Sequence, residues 1–369
     1  STGEDDFYGI ETAIFKSLKK DNSEKYEYIL PSASYSKNFV NTDSFGNIDF
    51  TSNFKIENND TNKTKKILIN DFSWNYKDLF LENGLKSRIF SEVKNVNYEA
   101  KNIEGFKSEP TSEVFGAFGY LSEIDFYKDI DEDNRHLLTP KILLRYAPGI
   151  MKQETSGGRI NNLNIFNLNR ASSKDNFENG LSATLGFDYE IDNKERKFSF
   201  SGGQIINQKE NKKMSSESSL NEKLSDFVGS ANFKYNDKFN FDYKFALDQN
   251  YEEFNYNDFN TTINFNSVDL NFNYLKEKKH YGQAEYFETN VSYLVDTNEK
   301  LSIKGKRNLI SNSAEYYDLS YEYFNDCLRA GLVYRREFYN DSEVEPEDSL
   351  MFKITLIPFG NLTSQTVSK

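Results

Sequence analysis

Along much of the chain, apolar and polar residues alternate one for one. Phe239, Phe241, Tyr243, Phe245 and Leu247 alternate with Asn240, Asp242, Lys244 and Ala246. The rhythm returns at Val268, Leu270, Phe272 and Tyr274 against Asp269, Asn271 and Asn273. It returns again at Tyr317, Leu319, Tyr321 and Tyr323, and at Leu350, Phe352, Ile354 and Leu356. A period of two belongs to an extended strand with one apolar and one polar face. Breaking the chain at its polar stretches predicts strands at 7–16, 26–36, 47–56, 66–76, 79–93, 114–127 and 138–146. A long irregular segment follows at 147–178. Further strands are expected at 181–189, 197–205, 227–235, 239–247, 251–265, 268–275, 287–295, 301–306, 314–324, 328–338 and 350–359. About 18 strands, roughly one per 20 residues, suits an antiparallel barrel that spends ~9–11 residues on each crossing.

The connections alternate in kind. Those at 236–238, 266–267 and 296–300 are short, and the Asn and Asp in them tolerate the left-handed backbone of tight hairpins. Those at 97–111 and 208–225 are long and polar. Residues 207–225 hold Lys, Glu, Ser and Asn with few apolar residues, and read as a polar mobile loop. The expected fold is therefore all-β, a large antiparallel transmembrane β-barrel of outer-membrane type. Its apolar face would meet lipid, and its polar face would line a wet lumen, with Asn240, Asp242, Lys244, Asn271 and Asn273 on it. Pro140 and Pro148 bracket one strand, and Pro358 lies near the end of the last candidate, where it either ends the strand or loosens a junction.

Composition supports this picture. Hydrophobic residues make up only 37% of the 369 residues, yet aromatics reach 15%, with 32 Phe and 24 Tyr. A soluble core so poor in aliphatic side chains would be unusual; an outward aromatic band suits a barrel. The mean hydropathy of −0.75 excludes helical spans but not strands, half of whose residues face water. A net charge of −13 argues against nucleic acid as a partner. The charge runs at 63–66 and 129–133 fall at expected turns. The single cysteine, Cys327, excludes a disulfide within the chain. The N-terminus has no basic or apolar leader region, so either a signal peptide has been removed or the chain is an internal fragment, and the early onset of a strand at Phe7 favours the fragment.

Catalytic signatures are missing from the sequence. Gly157-Gly158 and Gly202-Gly203 are bare pairs, suited to turns or bulges. His136 and His280 are far apart and read as structural. No Gly-x-Ser-x-Gly elbow occurs. No catalytic residue, cofactor or metal is expected, and the chain is not read as an enzyme.

Two stretches carry a family resemblance. The first is His136-Leu137-Leu138-Thr139-Pro140-Lys141-Ile142-Leu143-Leu144-Arg145-Tyr146-Ala147-Pro148, followed by residues 161–170 ending in Asn169-Arg170, and then 177–186. The second runs from Tyr321 through Cys327 to Tyr339 and closes with Phe352 to Gly360. In strand order this resembles LptD, the lipopolysaccharide-assembly family of the Gram-negative outer membrane. The resemblance implies a very large barrel, plugged by a lipoprotein partner and supplied with lipopolysaccharide by a periplasmic bridge protein through an N-terminal domain. Release into the outer leaflet would use a lateral opening beside the last strand, here Leu350, Phe352, Ile354, Leu356 and Pro358. Residues 1–369 would then be the C-terminal portion of the barrel. Such a fragment, with unpaired edges, is not expected to insert stably by itself. The resemblance also implies that Cys327 bonds to a cysteine of the N-terminal domain, against the alternative of an inert thiol. Two other readings stand beside this one: a general outer-membrane porin or transporter barrel, and a β-rich binding protein outside the membrane.

Overall fold

The computed structural model describes residues 6–17, 26–42, 45–59, 62–131, 134–154, 158–338, 347–356, 360–363 and 367–368. Regular structure among them is strand throughout, except for one 3-10 turn at Ser219–Asn221. No helix among the described residues is long and apolar enough to cross a membrane. The first strands are β1 Asp6–Lys16, β2 Tyr26–Thr42, β3 Gly46–Asn59, β4 Lys63–Asn75, β5 Leu79–Phe80, β6 Leu85–Lys101, β7 Thr111–Ile124, β8 Phe126–Asp131 and β9 Asn134–Ala147. After a long irregular segment come β10 Gly180–Asn193, β11 Arg196–Asn207, β12 Phe227–Tyr235, β13 Phe239–Leu247, β14 Phe254–Phe265 and β15 Val268–Glu277. The series closes with β16 Ala284–Asp296, β17 Glu299–Asn308, β18 Ser313–Phe324, β19 Leu328–Glu337, β20 Asp348–Leu356, β21 Gly360–Thr363 and β22 Val367–Ser368. The surplus over the sequence count comes mainly from four short strands, β5, β8, β21 and β22.

The chain forms two compact units. The first comprises Ser1–Phe126, Leu138–Asp188 and Gly202–Phe227; the second comprises Tyr127–Leu137, Tyr189–Ser201 and Val228–Lys369. Strands β8 to β12 contribute to both.

In the first unit, β1 to β4, β6, β7 and the latter part of β9 pair antiparallel in chain order. Alternation along β9 defines two faces: Leu143 is fully buried while its neighbour Leu144 is 49% exposed. Leu143, Arg145 and Ala147 point to a covered inner face, whereas Ile142, Leu144 and Tyr146 point out. The register carries both faces across the ladder, because Tyr146 lies opposite Phe118 and Arg145 opposite Gly119. The inner face is covered by irregular segments at 148–154, 158–179 and 208–226. Leu168 and Phe177 of the first segment join Ile67, Ile69, Val96, Tyr98, Phe115, Ala117 and Ala147 of the wall in one apolar cluster. Burying each large side chain in this way contributes about 1.5–3 kcal/mol.

Two strands are longer than the sequence suggested. β6 runs through Asn97 to Lys101, and β2 extends to Thr42. In β6 the alternation is inverted: Val96, Tyr98 and Ala100 are buried inward, while Asn95, Asn97 and Glu99 face the other way. Polar residues read as a break therefore belong to a strand whose apolar side is the covered one. The outward amides are linked: Asn70 Nδ2 donates to Asn95 Oδ1 at 3.3 Å, and Asn70 Oδ1 accepts from Ser52 Oγ at 2.8 Å.

The second unit is a plainer meander. β13 to β20 pair antiparallel in chain order. Two of the expected short connections hold a left-handed Asn, Asn236 at φ 46° and Asn266 at 45°, and Asn312, in a turn not singled out from the sequence, has φ 53°. Gly305 lies opposite Tyr317, whose ring stands 3.0 Å from where a Cβ at Gly305 would be. Its bare backbone is the seat of that ring.

Candidate functional site

Register decides which side chains share a face in the second unit. Tyr243 pairs with Phe259, Phe259 with Tyr274, and Tyr274 with Phe287. Nearer the other end of the strands, Ile263, Leu270, Val291, Ile303, Leu319, Tyr334 and Leu350 follow one another from β14 to β20. One apolar face thus crosses these strands, and the register shifts at Ala246/Leu247, Leu294/Asp296 and Lys306/Arg307 fall near strand ends, away from this row. Many of its members are well exposed, among them Phe272, Val291, Ile303, Leu319, Leu350 and Phe352. Exposed aromatic and aliphatic residues at such density fit a lipid environment rather than water.

The opposite face is polar and cross-linked. Asn240, Asp242 and Lys244 of β13 stand on it opposite Thr262, Asn260 and Asp258, and Asn271 and Asn273 of β15 continue the same rows. The structure therefore brings all five sequence-selected polar residues to one face. Asn240 and Asp242 share Asn232, whose Nδ2 donates to Asp242 Oδ1 at 2.6 Å and to Asn240 Oδ1 at 3.2 Å. Thr262 Oγ1 donates to Asn271 Oδ1 at 2.9 Å. Asn273 Oδ1 is buried and has no hydrogen-bond partner. Farther along, Lys304 meets Glu288 at 2.9 Å, and Arg335 forks onto Asp318 at 2.7 and 2.8 Å. Each face is set by strand register, since a slip of one residue would exchange them.

Leu350 and Phe352 occupy the apolar face of β20, opposite Tyr334 and Leu332; Ile354 and Leu356 continue it opposite Ala330 and Leu328. The other edge of β20 is paired with the chain's own final strands. Lys353 to Leu356 pair with β21, and Ser349 and Leu350 pair with β22. The strand expected at 350–359 is thus described as 348–356, and two short strands follow it. Pro358 lies outside the described residues. Cys327 is exposed in the β18–β19 turn, which Asn325 closes by accepting from the backbone N–H of Cys327 and Leu328.

The first unit holds a cluster to which sequence reasoning assigned no role. Arg145, fully enclosed on β9, donates from Nε to the Leu168 carbonyl at 2.5 Å and from Nη2 to the Glu178 carbonyl. Arg170 forks onto the Glu178 carboxylate at 2.7 and 2.6 Å and also reaches Ser182 Oγ at 3.1 Å. Burial opposes charge on Glu178, but Arg170 and Arg145 outweigh it and hold the carboxyl below its ordinary value. Arg145, Arg170 and Glu178 all fall within the stretches that carried the family resemblance. Their shared context was the available signal.

Glycines clear space for the irregular segment. A Cβ on Gly119 would lie 2.7 Å from Leu168, one on Gly186 2.8 Å from Phe166, and one on Gly203 3.2 Å from Ile165. Residues 208–226 brace the same segment. Lys213 Nζ donates to the Met151 carbonyl at 2.8 Å, and Met214 and Leu220 are buried.

A long antiparallel meander with one lipid-compatible face and one cross-linked polar face defines an outer-membrane β-barrel protein. Residues 15–321 match the family described as LPS transport system D, and the chain belongs to that family. No curated protein sequence matches it. Among solved structures, the copper transporter OprC aligns over 96% of this chain and 68% of its own, at 7% identity and a TM-score of 0.39. A likeness of that size bears on neither mechanism nor cargo.

Proposed function

We propose that this chain forms the wall of a barrel that delivers lipopolysaccharide to the outer leaflet of a Gram-negative outer membrane. The observation that carries this is the unbroken pair of faces from β13 to β20, in a chain of the LPS transport system D family. Lipopolysaccharide has a wet saccharide and greasy acyl chains, and a wall with one polar and one apolar face can meet both. Asn240, Asp242, Lys244, Asn271 and Asn273 hydrate the saccharide from the lumen, and acyl chains leave sideways at β20, along Leu350, Phe352, Ile354 and Leu356. No covalent bond changes, so the role is transport rather than catalysis. A plug lipoprotein fills the lumen, and a periplasmic bridge protein delivers the cargo through a domain attached to the barrel.

The test is site-specific photo-crosslinking in the full-length protein in its native membrane, with the probe at Phe352 and, separately, at Asn271. Lipopolysaccharide adducts at both positions are expected. Adducts at Asn271 alone would remove the lateral exit and leave an enclosed conduit of porin type. Adducts at neither would overturn the reading.

A further inference from the structure

The inner face of β2, β3, β4 and β6 carries a cavity of about 400 Å³, bounded on one side by Lys174 and Asp175 of the irregular segment. Its volume lies in the range of small-molecule sites. Ile67 and Ile69 give it an apolar floor, and Ser32 and Asn53 add neutral polar groups. Four lysines line it: Lys55, Lys65, Lys94 and Lys174. They face three carboxylates, Glu57, Asp71 and Asp175. The excess is positive, in a chain whose net charge is −13.

Strand register builds this arrangement. Glu57 of β3 lies opposite Lys65 of β4, and Asp71 of β4 lies opposite Lys94 of β6. Lys55 and Lys65 both reach the one Glu57 carboxylate, Lys65 at 3.4 Å. Lys94 meets Asp71 at 2.7 Å and donates to the Lys174 carbonyl at 2.9 Å. Asp175 is engaged by Lys152 at 3.2 Å, a lysine that does not line the cavity. Lys152 is shared with Glu113 at 2.9 Å, so the unspent charge lies at Glu57, where two ammonium groups meet one carboxylate. Lysine presents compact positive charge to phosphate oxygens.

We propose that this cavity is a subsite for a phosphate group on a saccharide headgroup, through which the inner wall holds its glycolipid cargo during passage. The subsite rests on the transport reading above. It adds Lys55, Lys65 and Lys94 as binding residues on a different part of the wall from β13 to β20.

The test places a photo-crosslinking residue at Asn53, inside the cavity, and in a second strain at Asn271, in the full-length protein in its native membrane. The subsite variant is Lys55→Gln with Lys65→Gln; the charge-keeping control is Lys55→Arg with Lys65→Arg. The expected result is a glycolipid adduct at Asn53 that falls at least tenfold in the Gln variant, survives in the Arg control, and leaves the Asn271 adduct unchanged. An Asn53 adduct that ignores the Gln substitutions overturns the subsite. An adduct at Asn271 with none at Asn53 overturns the subsite and spares the transport reading, whereas none at either position removes both. In detergent-solubilised complex, phosphatase-treated lipopolysaccharide should lose the Asn53 adduct. Retention of that adduct overturns phosphate recognition. Binding of inorganic phosphate alone with equal strength, lost in the Gln variant, would assign the site to free phosphate and overturn the headgroup source.

Discussion

Glu178 stays charged where water scarcely reaches, 2% exposed and forked by Arg170. Removing one member of such a buried set leaves the other charge uncompensated, at a cost of about 3–5 kcal/mol. Arg170→Met should therefore destabilise the first unit by that order, read as a lower urea midpoint. Glu178→Gln should cost at least as much, because it leaves Arg145 and Arg170 both buried without their shared counter-charge. The pH dependence follows from the direction of the shift. The folded carboxyl titrates below its ordinary 4.5, so its charge adds stability above that value and loses it as pH falls through the lower folded value. Thermal unfolding should be level from neutral pH to about 5 and fall below about 4, with Glu178→Gln blunting the acid limb. These residues illustrate what was and was not legible. Asn240, Asp242 and Lys244 revealed their common face by alternation alone. Arg145 and Glu178 are 33 residues apart, and only the covered inner face brings them together.

At the scale of the element, faces matter more than individual partners. Ile303 stands on the apolar face and Ser320 on the polar one. Ile303→Arg should cost about 2–4 kcal/mol if it sits near the bilayer midplane, while Ser320→Arg should cost little. Heat-modifiable mobility of the two variants after refolding in lipid checks the contrast. Gly203 tests the inner segment: a Cβ there would sit 3.0 Å from the Leu185 carbonyl and 3.2 Å from Ile165. Gly203→Val should shift 161–170 off the wall, cost about 1–3 kcal/mol, and open that segment to protease. The strands β13 to β20 were readable because apolar residues, many of them aromatic, alternate with polar ones between Asn-bearing turns or polar loops. The far ends of β2 and β6 were not. At the end of β6 the outward residues are polar, so alternation no longer separates strand from loop, and only the burial of Val96, Tyr98 and Ala100 marks the strand.

At the scale of the whole molecule, the family places this chain in lipopolysaccharide transport, and we propose Cys327 as a link to the rest of such a protein. The thiol is exposed in its turn and accessible to a partner. If it bonds to the N-terminal domain, full-length protein should run faster on a gel without reductant, and Cys327→Ser should abolish the difference. A conduit for a lipid must also fit its membrane. β20 has nine residues, whereas β2 and β6 have 17. Nine residues at ~3.3 Å each, tilted by ~40°, cover about 23 Å, short of a hydrocarbon core of ~30 Å. Lipid beside a short strand relieves that mismatch by thinning. A bilayer pinched along β20 would be as shallow as beside the nine-residue β12 and β13, and acyl chains sliding out there would disturb fewer neighbours than beside the 17-residue strands.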